Sequence, residues 1–229
     1  MKKFGEKAEL LYAALIGDLV RSREAPDRAD LQRRFREAVA ALNAGPSRAA
    51  LAAPLSITAG DEVQGLLREP AAAVEIVRRL GEAVRPSQIA FGLGWGPVST
   101  DIVARSTEID GPCFHRAREA LGVAAKRGDW LSASGFGEPT DTVLTALYDL
   151  MGAIVSRWTD TQARYAAAAR DALQKDVAEQ FGVSPSVVSE SLKSAALDAI
   201  LSGEAAARSL LSQFGKRGEH APASADKPK

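Results

Sequence analysis

The segment Gln174–Lys193, QKDVAEQFGVSPSVVSESLK, constrains the fold more than any other stretch of the chain. Ala178 is small enough to let two helices approach, and Gly182 takes a left-handed turn conformation at little cost. Val183, Val188 and Leu192 fall where a second helix must pack against the first. Ser184 and Pro185 supply that helix with a cap and a first turn. The pattern is a helix-turn-helix, and it predicts a helical module in the last third of the chain.

The first half has a different rhythm. Leu10–Gly17 is a short apolar run that predicts a buried strand delivering Asp18 at its carboxy end. After Pro26, the residues Leu31, Phe35, Ala38, Val39 and Leu42 recur at helical spacing. Leu55–Ala59 and Val63–Leu67 then predict a hairpin around Gly60, Asp61 and Glu62. A helix follows from Pro70 and is closed by Pro86. Ile89–Trp95 predicts a strand whose glycines at 92, 94 and 96 keep one surface low. A further helix begins at Asp110-Gly111-Pro112, and Asp129–Ser134 is a last short strand. This order fits an α+β, ferredoxin-like antiparallel sheet with its helices on one face.

From Pro139, apolar residues through Val155 form one broad helical stripe. The predicted division is therefore an α+β domain over 1–137, a linking helix over 138–157, a helix-turn-helix domain over 158–213 and a disordered tail over 214–229. Lysine plus arginine balances aspartate plus glutamate at 29 each, so any charged function must be local. The single cysteine, Cys113, excludes an intrachain disulfide framework and points to a reducing compartment, the cytoplasm. No apolar run approaches the ~20 residues of a membrane span, so no membrane partner is expected.

The site residues follow from this layout. With Asp18 ending one central strand and Asp61 at the tip of the neighbouring hairpin, two carboxylates meet. Such a pair suits Mg²⁺ bound together with nucleotide phosphates. The same two residues also suit plain turn capping. Arg21 and Arg23 stand within reach of a phosphate, or are simply solvated. In the helix-turn-helix, the exposed face of the second helix offers Ser184, Ser186, Ser189, Glu190 and Lys193 to DNA.

Four segments carry a family resemblance: ALIGDLVRSR over 14–23, TAGDEVQG over 58–65, FGLGWGPV over 91–98 and DGPCFHRAREAL over 110–121. Together they resemble the SatD family, which is more distantly similar to class III adenylate and guanylate cyclases. That resemblance implies metal-binding roles for Asp18 and Asp61. It also exposes a departure, because His115 stands where a cyclase has asparagine and Glu119 where it has the phosphate-stabilising arginine. A carboxylate there repels a triphosphate, so cyclase turnover is not expected unless Arg116 or Arg118 substitutes. The entry helix at Trp158–Gln162 resembles that of bacterial regulators.

The expected function is a DNA-binding transcriptional regulator, working as a homodimer, with a degenerate cyclase-like sensor or dimerisation domain. A nucleotide-binding enzyme using Mg²⁺ and a non-catalytic adaptor stand as alternatives.

Overall fold

The computed structural model describes residues 10–58 and 60–215, and the tail from Lys216 onward lies outside them. Strand β1 (Leu11–Val20) forms the centre of a five-stranded sheet. It is buried on both faces, with Ala13, Leu15 and Leu19 on one side and Ala14 and Ile16 on the other. That explains why its sequence is continuously apolar rather than alternating. The strand runs two residues past Asp18, so this aspartate sits inside the strand and not at its end.

Helix α1 (Arg28–Ala44) is capped by the Asp27 carboxylate, which accepts the Asp30 N–H at 2.9 Å. It buries Leu31, Phe35, Val39 and Leu42. Strand β2 (Leu51–Thr58) pairs with β3 (Glu62–Leu67) across the hairpin. The strand begins four residues earlier than the sequence pattern suggests, because Pro54 does not break it. An edge strand tolerates the missing N–H, and the register shifts between Ala53 and Ser56 around that proline. Helix α2 (Ala73–Val84) leads into β4 (Gln88–Pro97), and α3 (Pro112–Arg127) connects β4 to β5 (Leu131–Ser134).

The strand order is β2-β3-β1-β4-β5. The first four strands are antiparallel in ferredoxin-like order, and β5 runs parallel to β4. The molecule is thus of the expected α+β class, with one correction to the layering. Helices α1 and α2 pack with Leu15, Leu67 and Phe91 on one face, while α3 packs with Ile16, Leu66 and Ala90 on the other. A parallel pair requires a crossover, and a central strand apolar on both sides requires two covers.

Helix α4 (Thr140–Val155) starts at a turn in which the Asp141 carboxylate accepts the N–H groups of Gly135, Phe136 and Gly137. It packs against β5. Helices α5 (Asp160–Ala168), α6 (Gln174–Phe181), α7 (Pro185–Ser194) and α8 (Leu197–Leu211) complete the chain. Trp158 anchors this helical half by donating its indole N–H to the Ala195 carbonyl at 2.7 Å. Its core of Tyr165, Val177, Val188, Ile200 and Leu211 runs without a break into Leu144, Tyr148 and Met151. Phe214, placed in the tail by its sequence position, packs edge-on against Trp95 and Phe136.

Candidate functional site

The two aspartates come together at one end of the sheet. Asp18 pairs in register with Glu62, so the two side chains share a face of the sheet. The Leu19 N–H donates to the Asp61 carbonyl at 3.1 Å, which ties the hairpin to β1. Asp61 accepts a 3.0 Å hydrogen bond from the Ser22 hydroxyl, and Ser22 itself is buried. Glu62 holds Arg118 through paired contacts of 3.1 and 3.2 Å and accepts from the Thr58 hydroxyl at 2.9 Å. Asp18 has no side-chain partner among the described residues.

Partial burial raises the Asp18 carboxyl above its ordinary value of 3.8, and the charges of Asp61 and Glu62 raise it further. Such a group holds its proton more tightly in the folded chain than in the unfolded one. It therefore contributes stability at low pH that is lost as pH rises from 3.8 through the raised folded value. At neutral pH the ionised carboxylate works against folding, and a cation beside it would relieve that strain.

The other candidates are placed differently. Arg21 and Arg23 are exposed around a 3₁₀ turn at Ser22–Glu24, with Arg21 itself in the left-handed region at φ 51°. Neither makes a side-chain hydrogen bond among the described residues. Arg118 reaches the acidic cluster, but its guanidinium is committed to Glu62. Arg116 is structural, donating to the Trp95 carbonyl at 2.6 Å. His115 is exposed and bonded to Asp110 at 2.9 Å, and Glu119 is exposed. Cys113 is buried, and burial pushes its thiol up to about 12.

The low, glycine-lined surface of β4 is where α3 seats, and the helix lies directly on it. A β-carbon at Gly92 would come within 2.9 Å of the Leu121 Cα, and one at Gly94 within 2.9 Å of the Ala117 Cα. Backbone atoms of α3 would be closer still. The glycines exist to let a helix backbone touch a strand. Beside α3, the reciprocal hydrogen bonds of Gln64 and Ser106, at 2.6 and 2.8 Å, seat the preceding loop on β3.

Glu62 and Ser22 complete the cluster beyond the two aspartates read from the sequence. Glu62 had a usable signal, since antiparallel pairing across a two-strand junction puts it opposite Asp18. Ser22 had none, because its contact with Asp61 spans 39 residues. No group of three or more histidine, cysteine, aspartate and glutamate side chains is arranged to hold a metal among the described residues. Asp18 and Asp61 supply two carboxylates, and Mg²⁺ in general keeps several waters and takes few protein carboxylates when phosphates supply the rest.

At the other end of the chain, α6 and α7 meet across Gly182, which adopts φ 66°. Val177, Ala178, Val188 and Leu192 are buried between the helices. Ser184, Ser186, Ser189, Glu190 and Lys193 all lie exposed. The Ser184 hydroxyl bonds to that of Ser186 at 2.9 Å and does not cap α7. No described helix is long and apolar enough to cross a membrane.

A sequence profile described as the SatD family matches residues 12–211. No curated protein matches the chain. Among solved structures, the chain is similar to two structures of a bacterial light-regulated adenylyl cyclase, each at 13% identity and a TM-score of 0.41. Both alignments cover 55% of this chain, with 76% of one cyclase chain and 43% of the other.

Proposed function

This chain belongs to the SatD family, and we propose that it is a DNA-binding regulator in which α7 engages DNA while the α+β half serves as a sensor or joins two copies. One observation carries this reading. Helix α7 buries Val188 and Leu192 against its neighbours and leaves Ser186, Ser189, Glu190 and Lys193, with Val187 beside them, to solvent. That is how a recognition helix is mounted, with packing on one side and groove contacts on the other. The face is rich in serine and carries one cation, Lys193. It favours phosphate and thymine-methyl contacts over bidentate reading of base edges. A single copy would therefore bind weakly, and a homodimer would supply the missing contacts.

The test is fluorescence anisotropy with duplex fragments from the source genome over a range of salt. Lys193→Glu is expected to lower affinity several-fold and to reduce the slope of log affinity against log salt by about 1, with the melting temperature unchanged. Equal affinity and slope in the variant would remove α7 from the interface, and no binding to any duplex would sink the reading.

A second reading draws on the crowded carboxylates. Asp18 and Asp61 would hold Mg²⁺ with a nucleotide in a cytoplasmic sensor, the cation supplying charge neutralisation for the phosphates. Without metal, Asp18→Asn is expected to raise the melting temperature by roughly 2–3 °C, since it removes a carboxylate whose cost is under about 1 kcal/mol after solvent screening. With Mg²⁺ and ATP or GTP the native chain should gain stability by mass action, and Asp18→Asn and Asp61→Asn should not. A nucleotide effect that survives both substitutions would exclude these residues as its site.

A further inference from the structure

The outer face of α4 is apolar where the solvent side of a surface helix is normally polar or charged. From Thr142 to Ser156 the only charged residue is Asp149. Asp149 sits one turn beyond Thr145, whose hydroxyl accepts the Ala133 N–H of β5, and Arg127 holds its carboxylate at 3.0 Å. It therefore belongs to the flank that meets the sheet. Leu144, Tyr148 and Met151 face the core. The rest of the helix presents Val143, Ala146, Leu147, Leu150, Ala153 and Ile154. Leu150 is 66% exposed and Val143 39%, while Leu147 and Ile154 bury only part of their surface against the core. Helix α1 is the contrast, since its outer face carries Arg28, Arg33, Arg36 and Glu37. A contiguous apolar surface of this kind marks an interaction site.

The pattern and the charges on this face point to its occupant. Val143, Leu147, Leu150 and Ile154 recur at intervals of four, three and four residues, the spacing of a two-helix seam. The intervals are the same read from either end, so two copies of α4 laid antiparallel about a two-fold axis match along the whole stripe. Glu138 precedes the helix, its carboxylate accepting from the Thr142 hydroxyl at 2.8 Å, and Arg157 follows the helix. Both are exposed, and neither has an ion-pair partner among the described residues. We propose that α4 joins two copies of this chain, with Leu147 against Leu150 of the partner subunit, Val143 against Ile154 of the partner subunit, and Glu138 beside Arg157 of the partner subunit. Parallel pairing would instead set like charges together at both ends. The stripe is about 16 Å long, a single helix contact at the small end of protein interfaces, so the dimer dissociates in the micromolar range. This names the contact for the homodimer in the function proposed above, and its consequence for DNA rests on that reading.

The test is sedimentation equilibrium of the full chain without DNA, over a series from micromolar to near-millimolar protein. The mass is expected to rise from the monomer value of 24.2 kDa toward twice that value. Leu150→Glu is expected to stay monomeric across the series, with its fold checked by its melting temperature. Glu138→Arg and Arg157→Glu should each weaken association about fivefold, because the two-fold axis repeats the contact, and the two combined should restore it. A chain monomeric at every concentration would leave the face to a different protein and overturn the proposal, and the homodimer with it. A folded Leu150→Glu protein that dimerises like the parent would overturn the proposal while leaving the homodimer to another surface. A double charge variant as weak as the single ones would exclude the antiparallel pairing, and this comparison stands whether or not Leu150→Glu folds. Because no DNA is present, failure of the DNA reading leaves each of these results interpretable.

Discussion

Replacing Gly94 by alanine is expected to cost about 3 kcal/mol or more, and to lower the melting temperature by roughly 10 °C. The added methyl group would lie 2.9 Å from the Ala117 Cα and nearer still to the Cys113 carbonyl oxygen. Both are backbone atoms of α3, so no side chain can swing aside. The helix must lift from β4, and with it go the contacts of Cys113, Ala117 and Leu121 with Ile16 and Ala90. Gly122 on the same helix is the internal control. An added β-carbon there meets nothing within 4 Å, so Gly122→Ala should stabilise the chain by about 0.5–1 kcal/mol through helix propensity alone. Urea or thermal unfolding of the two variants decides the matter. A Gly94→Ala protein as stable as Gly122→Ala would mean that α3 does not seat on β4 as described.

Arg170→Met is expected to be destabilising by about 3–5 kcal/mol, because it strands a buried charge. Arg170 makes two 2.8 Å hydrogen bonds to Glu204, and the two side chains are only 10% and 8% exposed. Its Nε also lies 3.3 Å from Glu82 on α2, so the residue links α2 to α8. Removing the arginine leaves the buried Glu204 carboxyl without its partner among Tyr148, Ile200 and their apolar neighbours. Removing both charges is a different experiment. Arg170→Met combined with Glu204→Leu fills the volume without an orphaned charge, and should recover most of the loss. Unfolding curves for the two single variants and the double variant form the cycle that measures the coupling. Single variants within a few tenths of a kcal/mol of the parent would show that the pair is hydrated and not buried.

Much of this architecture was legible because local physics writes it into short windows. The helix-turn-helix reads out of Ala178, Gly182, Val188 and Leu192, whose roles depend on neighbours fewer than fifteen residues away. The periodic apolar positions of α1 and α2 are equally local. The hairpin at Asp61 announced itself through its glycine. The early start of β2 was not legible for a physical reason: whether Pro54 breaks a strand depends on whether that strand is an edge, and edge position is a property of the whole sheet.

The candidate site was legible only in part. The approach of Asp18 to Asp61 followed from strand order, but the charges around them did not. Arg118 reaches Glu62 across 56 residues, and this contact decides that the arginine closest to the acidic cluster is already spoken for. The glycines of β4 show the same ambiguity from the other side. Alternating glycines announce that something approaches the strand closely, and the same pattern serves a ligand or a helix. Only the position of α3 selects between them.

Most strands, helices and turns, and the helix-turn-helix in the last third of the chain, are written into short windows of the sequence. Those properties depend on backbone preference and on apolar period, both set within a few residues. Packing between distant segments set the rest: α3 covers the second face of the sheet, and Arg170 meets Glu204 across 34 residues. Each of these depends on burial and on pairs distant in sequence. An ionisable residue carries no mark in the sequence of how much water or which counter-charge the fold will leave it.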